Sequence, residues 1–311
     1  MKKFQMIAVA LAAAAATSGA FAQSSVNVYG RLNVTVERQK AGDADAEWRL
    51  QDNSSRIGFK GVEDLGGGLK AGFQIEHGFN AASGAAASTF WGRQAEVNLG
   101  GAFGLVRLGT FTSEAYFATA DYVSMHNHDT GTSSDALYAS NWNHNKKVAY
   151  RTPNMGGFVA ELGVTEANLA GDRGIDLAAN YDNGPLHVGF GYDKRGDSKQ
   201  FAVAAAYGFG AFTLGGYVQR DTDLSGAGSR TNLRLSGMYT VGATELHVNF
   251  GKAGDVGNLK DSGAAQFTAG VNYNLSKRTK VYGFYTKLNA NDNTPYADDF
   301  SSLAVGVRHN F

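Results

Sequence analysis

From Val26 the chain alternates strictly: Val26, Val28, Gly30, Leu32, Val34 and Val36 are separated by Asn27, Tyr29, Arg31, Asn33, Thr35 and Glu37. Successive strand side chains point to opposite faces, so this run is a strand with one apolar and one polar face. It is also longer than the usual strand of about 5–6 residues. The pattern returns at Ile175 to Tyr181, Phe201 to Tyr207, Leu233 to Tyr239, Phe267 to Tyr273 and Leu303 to Phe311. No segment beyond the first twenty-odd residues shows a comparable period of 3.6. The stretches Phe90 to Leu108 and Thr279 to Leu288 alternate poorly.

The connections fall into two kinds. Glu63 to Gly68, Pro153 to Gly157, Asp182 to Pro185, Gly208 to Ala211, Thr240 to Ala243 and Asn274 to Arg278 are short and rich in Gly, Asn or Pro, the chemistry of tight hairpins. Between them lie longer polar segments, Lys40 to Asn53, Asp221 to Ser229, Gly251 to Gly263 and Asn289 to Asp299. Tyr150, Tyr181, Tyr207, Tyr239 and Tyr273 each end a strand before a short turn, and Phe311 ends the chain. All share parity with the apolar residues of their strand. A closed antiparallel barrel would set them at one height on its outer wall, as an aromatic girdle at a membrane interface. A soluble sandwich also alternates, but it does not account for long strands, polar opposite faces and a preserved aromatic height together. The fold class expected is therefore all-β, a transmembrane antiparallel barrel of about 16 strands, too wide to fill its lumen with side chains.

Composition narrows the function. The 311 residues carry 28 basic and 28 acidic side chains, which gives no electrostatic case for nucleic-acid binding. The absence of Cys removes disulfide scaffolds and thiolate chemistry. A mean hydropathy of −0.26 argues against membrane-spanning helices. Lys2 and Lys3, the apolar run Met6 to Ala16 and the small residues of Ala20-Phe21-Ala22 read as a secretory signal peptide over residues 1–22, cleaved before Gln23. Residues 23–311 are then one barrel domain.

Thr110 to Asn145 is much the longest connection, 36 residues, and loops of this length are usually functional. It holds the acidic residues Glu114, Asp121, Asp129 and Asp135, several aromatics and no Lys or Arg. Inward or nearly inward strand positions carry Arg31, Arg56, Lys60, Lys70, Arg107, Lys147 and Arg151. An acidic loop folded against a basic wall would set a transverse field across a constriction, the kind of device by which pores discriminate ions.

The chain resembles the Gram-negative general porins of β-proteobacterial type. The resemblance is carried by Ser24-Ser25-Val26 through Tyr29-Gly30, Ser55-Arg56-Ile57-Gly58-Phe59-Lys60-Gly61 through Ala71, Gly92-Arg93-Gln94-Ala95, Tyr150-Arg151-Thr152-Pro153 through Phe158, Tyr273-Asn274-Leu275 through Thr279, and Gly306-Val307-Arg308-His309-Asn310-Phe311. It implies a 16-stranded homotrimeric barrel in the outer membrane, a third loop in the lumen, and passive diffusion of ions and small hydrophilic solutes. It also implies outer-membrane lipid and lipopolysaccharide as surroundings, no cofactor, and Phe311 as the signal read by the barrel assembly machinery. By motif, pore arginines carry over to Arg56 and Arg93, although strand parity groups Arg93 with outward Ala95 and Val97 unless the strand is bulged. Some anion-selective relatives place a further arginine before the sixth strand. Here that neighbourhood reads Asn143-His144-Asn145-Lys146-Lys147, so the charge is expected to shift to the lysines.

Other signals are weaker. His126-Asn127-His128-Asp129 has no third anchored ligand for a metal, and Arg195-Gly196-Asp197 reads as a tight polar turn. An outer-membrane barrel enzyme would need a Ser–His pair, and no Ser is partnered with His187 or His247. A substrate-specific channel, with the loop aromatics as a binding track, is the nearer alternative.

Overall fold

The structure is a computed structural model that describes residues 25–124 and 136–311. The leader 1–22, Asp129, Asp135 and the 126–129 cluster lie outside the described residues. Seventeen strands form one antiparallel sheet: β1 (Ser25–Ala41), β2 (Glu47–Asp52), β3 (Arg56–Gly66), β4 (Leu69–Gly78), β5 (Gln94–Gly101), β6 (Gly104–Thr110), β7 (Lys147–Arg151), β8 (Phe158–Ala167) and β9 (Arg173–Asn183), continuing below. The rest are β10 (Leu186–Arg195), β11 (Ser198–Phe209), β12 (Phe212–Thr222), β13 (Ser229–Val241), β14 (Thr244–Ala253), β15 (Ala264–Asn274), β16 (Thr279–Ala290) and β17 (Phe300–Asn310). The sheet closes because β17 pairs with β1 from Arg31↔Asn310 to Ala41↔Phe300. Closure joins the two ends of the sheet into a barrel, which is the condition for crossing lipid with strands.

The wall counts as sixteen crossings, because β2 and β3 are two parts of one strand. Both pair with β1, β2 with Val34 to Gln39 and β3 with Ser25 to Arg31. They are separated at Asn53-Ser54-Ser55, where Ser54 takes φ 59°. The break is fastened to β1: the Asn33 amide donates to Ser55 Oγ at 3.0 Å and Asn53 Nδ2 donates to Thr35 Oγ1 at 2.8 Å. The expected loop Lys40 to Asn53 is thus corrected. Trp48 and Leu50 alternate with Arg49 and Gln51, enough for a short strand, and only residues 42–46 remain as a connection. The weakly patterned stretch 279–288 is strand throughout, whereas Phe90 and Trp91 lie outside β5.

Outward positions are apolar and exposed (Val26 66%, Leu235 64%, Val305 61%), while polar side chains such as Asn33, Gln200, Gln219 and Gln266 are buried on the inner face. This inversion of the ordinary core is what a lipid-facing wall requires. Tyr150, Tyr181, Tyr207, Tyr239, Tyr273 and Phe311 stand outward and exposed at the short-turn end. The last residue is zipped into β1, with Gly30 N donating to Phe311 O at 3.0 Å and Phe311 N to Gly30 O at 3.1 Å. A Cβ on Gly30 would collide with the Phe311 ring, so this glycine makes room for the terminal aromatic. One hairpin departs from the long-loop pattern, since β10 and β11 are joined by Gly196-Asp197 alone, with Gly196 at φ 58°.

Candidate pore constriction

The connection between β6 and β7 folds inward. Ser113 caps a helical turn, Glu114–Tyr116, which continues as a π-type turn, Phe117–Asp121. Two inward glycines of β10 give this segment its seat. A Cβ on Gly189 would strike the Ala118 carbonyl and one on Gly191 the Ala115 carbonyl, so only bare backbone lets the loop lie this close. His187 Nε2 lies 2.9 Å from Ala118 O, and the Tyr122 ring stacks on the His187 ring at 3.4 Å.

The returning limb is clamped by wall side chains. Gln219 takes both polar groups of one peptide position, with Ala139 N donating to Oε1 at 2.8 Å and Nε2 donating to Ala139 O at 2.7 Å. Asp193 accepts from Asn141 N at 3.0 Å and Ser140 Oγ at 3.1 Å. Leu137 packs with Ala253, Ala264 and Leu288. The loop's described contacts thus fall on the wall from β6 round to β16. The Glu114 carboxyl is raised above the usual carboxylate range because burial outweighs the pull of Arg151. His144 is lowered to about 4 by burial first, then by Lys147 and Arg93, and is neutral at neutral pH.

The basic residues expected on the wall separate into two groups. Arg107 (6% exposed) and Lys147 (2%) are buried beneath the loop. Arg107 binds Glu96 at 2.8 Å, Glu161 at 3.1 Å and Glu114 at 3.2 Å. Lys147 binds Asp176 at 3.0 Å, and Arg151 pairs with Glu161 at 2.9 Å and with Glu114. Phe111 is packed between the Arg107 and Lys147 cations, 4.0 and 4.4 Å from its ring centre. For these residues the acidic loop lies directly on the basic wall, with Glu114 in ion pairs to Arg107 and Arg151. Glu114 is held by two arginines at the loop's base, which also pair with the wall carboxylates Glu96 of β5 and Glu161 of β8, while Asp176 of β9 holds Lys147. A polar recess of about 290 Å³ remains between Arg107, Arg151 and Glu96 on the wall and Glu114 and Phe117 on the loop. Asp121 is half-buried in the π-type turn.

The second group lies on the far wall. Arg31 of β1 and Arg56 of β3 are direct partners in register, both inward. Arg56 lies 3.8 Å from Glu76, which also binds Arg93 at 2.6 Å. Arg93 reaches inward without a bulge: it precedes β5, so ladder parity does not govern it, and its chain lies across side-chain-less Gly78. Lys60 is inward and exposed toward the short turns, its ammonium 5.2 Å from the Tyr29 ring centre. Lys280 and Arg308, paired in register on β16 and β17, extend the same strip and were missed by the sequence reading. Their signal was present, because both have parity opposite to Val281, Val305 and Val307. The wall carboxylates Glu96, Glu161 and Asp176 were legible in the same way.

The chain matches the sequence profile described as Gram-negative porin over residues 8–293. It is 31% identical to outer membrane porin protein 32 of Delftia acidovorans over 97% of this chain and 99% of that one. It is 28% identical to the major outer membrane protein P.IB of Neisseria gonorrhoeae, over 90% and 92% of the two chains. The anion-selective porin from Comamonas acidovorans superposes with a TM-score of 0.79 at 29% identity, covering 93% of this chain and 100% of that one. OmpF of Salmonella typhi shares the fold, with a TM-score of 0.74 at 18% identity over 92% of this chain and 97% of that one. The barrel, its inward loop and these relatives converge: the chain belongs to the Gram-negative porin family, channels of the bacterial outer membrane through which small solutes diffuse passively.

Proposed function

We propose that this porin is a homotrimeric diffusion channel whose charged constriction favours small anions, with the selectivity set by the far wall. The observation that carries the reading is the pair of registered like charges, Arg31 opposite Arg56 and Lys280 opposite Arg308. Beneath the loop, Arg107, Lys147 and Arg151 are matched by wall or loop carboxylates. On the far wall Glu76 is shared by Arg56 and Arg93, and Glu245 lies 3.5 Å from Lys280. A passage bounded by that strip has a net positive lining, and such linings raise the local anion concentration. The solved relative titled anion-selective supports the same preference. Relatives of this fold include a trimer form, and the apolar outer wall permits subunit packing. Export by the 1–22 leader, cleaved before Gln23, and recognition of Phe311 by the assembly machinery complete the reading.

The test is the reversal potential of the reconstituted protein under a KCl gradient in a planar bilayer. A potential of anion sign that collapses when Arg31 and Arg56 are replaced by Gln supports the reading. A cation-sign potential in the unaltered protein refutes it.

A further inference from the structure

The long-loop end of the barrel holds a recess that neither the loop anchor nor the far wall uses. β8 and β10 both finish at this end, at Ala167 and Arg195. The returning limb of the inward loop meets them there on its way to β7. Between them lies a recess of about 270 Å³, lined by Trp142, His144 and Lys146 of the limb and by Glu166, Ala167 and Arg195 of the wall. That volume falls just below the range of about 300–1,000 Å³ for pockets that hold drug-sized ligands. It suits a single ring with one small substituent.

The lining pairs an open aromatic ring with one cation that no carboxylate matches. Trp142 is 49% exposed, yet its ring is held in place, nearly parallel to the His144 ring at 5.5 Å and against Tyr116 at 5.4 Å. Trp142 and Lys146 also take left-handed backbone, φ 46° and 50°. Bulky residues adopt that conformation where their surroundings impose it, and such strain gathers at ligand sites. Among the lining charges, Lys146 is paired with Glu166 at 2.6 Å. The half-buried Arg195 has only neutral partners among the described residues: Nε donates to Asn143 Oδ1 at 3.0 Å and Nη2 to Thr165 Oγ1 at 3.2 Å. Asn143 is itself fixed by donating to Asp176 at 2.9 Å. Two anchored acceptors thus set the guanidinium plane and leave the Nη1 hydrogens for a ligand. A run of rings leads inward from here. Tyr116 also packs on Phe117 at 5.7 Å, and Phe117 borders the polar recess that holds Arg107 and Arg151. Core packing does not account for the run, because Trp142 and Phe117 stay exposed while Phe111 and Tyr138 are the buried rings of the loop.

We propose that this recess binds small aromatic monocarboxylates, the ring lying on Trp142 and the carboxylate on Arg195, and that Tyr116 and Phe117 continue the aromatic path toward the constriction. An aromatic face and a planar, oriented cation at one place are the two requirements of that ligand class. Glu166 sets its charge limit, since a second negative group on the ligand would meet that carboxylate. The far wall takes no part, so the site stands or falls independently of the anion preference proposed above.

The test uses the full folded protein in a planar bilayer, with sodium benzoate, acetate and phthalate titrated in turn on the long-loop side against a constant KCl current. Benzoate is expected to give brief blockades that saturate, with half-saturation about tenfold or more below that of acetate or phthalate. Trp142→Ala brings benzoate to the level of acetate. Arg195→Gln weakens it about tenfold, the effect of losing one charge-assisted hydrogen bond, and Arg195→Lys restores part of the loss. The KCl conductance and reversal potential stay unchanged in these variants, so a failed channel and a failed binding site are told apart. Equal half-saturation by benzoate and acetate in the unaltered protein overturns the proposal, as does phthalate binding as tightly as benzoate. Blockades that survive Trp142→Ala and vanish in Arg31→Gln with Arg56→Gln place the site on the far wall and overturn it too. If Trp142→Ala disturbs the KCl current itself, Trp142→Phe, which keeps a ring at that place, decides: retained benzoate preference supports the site and its loss overturns it.

Discussion

Two stretches of the inner wall carry the same residue types and use them differently. Beneath the loop, Arg107, Lys147 and Arg151 are enclosed with Glu96, Glu161, Asp176 and Glu114. On the far wall, Arg31, Arg56, Lys280 and Arg308 stand as like-charge neighbours. An enclosed charge costs several kcal/mol in desolvation, which only close partners offset. The loop-covered network therefore anchors the loop, and its net field in the lumen is small. The far-wall side chains are only half-buried, so in the proposed channel their field would reach the passing ion. On the proposed reading, identical side chains thus hold a structure together in one place and select solutes in the other, and the difference between them is burial.

The sharpest way to break this comparison is to remove one enclosed partner. Arg107→Ala would leave Glu96 without the arginine it pairs with and Glu161 with Arg151 alone, both carboxylates being less than 10% exposed. Breaking a buried pair from one side costs about 3–5 kcal/mol. The variant is expected to unfold at a clearly lower urea concentration in detergent, with noisier single-channel current as the loop base loosens. Unchanged unfolding together with a shifted reversal potential would mean that Arg107 belongs with the far wall.

A second test moves the loop and leaves the charges in place. Gly189→Val sets a side chain against the Ala118 carbonyl, where the loop has nowhere to retreat but the lumen. Single-channel conductance is expected to fall by about half, with ion preference retained because the far wall is untouched. A conductance equal to that of the unaltered protein would show that the β10 glycines do not seat the loop.

The difference between the two walls also marks what the chain made legible. Alternation set the barrel and the sixteen crossings, and it placed Arg31 and Arg56 inward, because each is a local property of one strand. Parity is equally able to place Lys280, Arg308, Glu96 and Glu161 inward, since each alternates with apolar neighbours on its strand. Arg93 resisted parity because it stands outside a ladder. What no local pattern could supply is the pairing across elements: that Gln219 of β12 would grip Ala139, or that Gly189 and Gly191 would receive a loop some seventy residues earlier in the chain. Those contacts depend on closure of the whole sheet.

On the far wall, Arg31→Gln with Arg56→Gln is expected to carry the reversal potential toward cation preference by a few-fold in permeability ratio. Stability should change by less than about 1 kcal/mol, since partly exposed charges contribute little to folding. The measurement pairs a KCl-gradient potential with urea unfolding of the same preparation. A stability loss rivalling that of Arg107→Ala would erase the distinction between the walls.

The smallest effect is a titration. Glu114 has its carboxyl raised above 4.5, first by burial and then by Glu161, against the opposing pull of Arg151 and Arg107. A raised value means that the proton is taken up at higher pH than by an exposed glutamate. As pH falls from neutral, Glu114 is therefore the first loop carboxylate in this cluster to lose its charge, leaving Arg107 and Arg151 less compensated. Anion preference should rise modestly over a window above the ordinary glutamate range. Glu114→Gln should show that higher preference already at neutral pH and no further change across the window. A profile identical in both proteins would place Glu114 outside the field felt by the ion, and the loop's base would then serve anchoring alone.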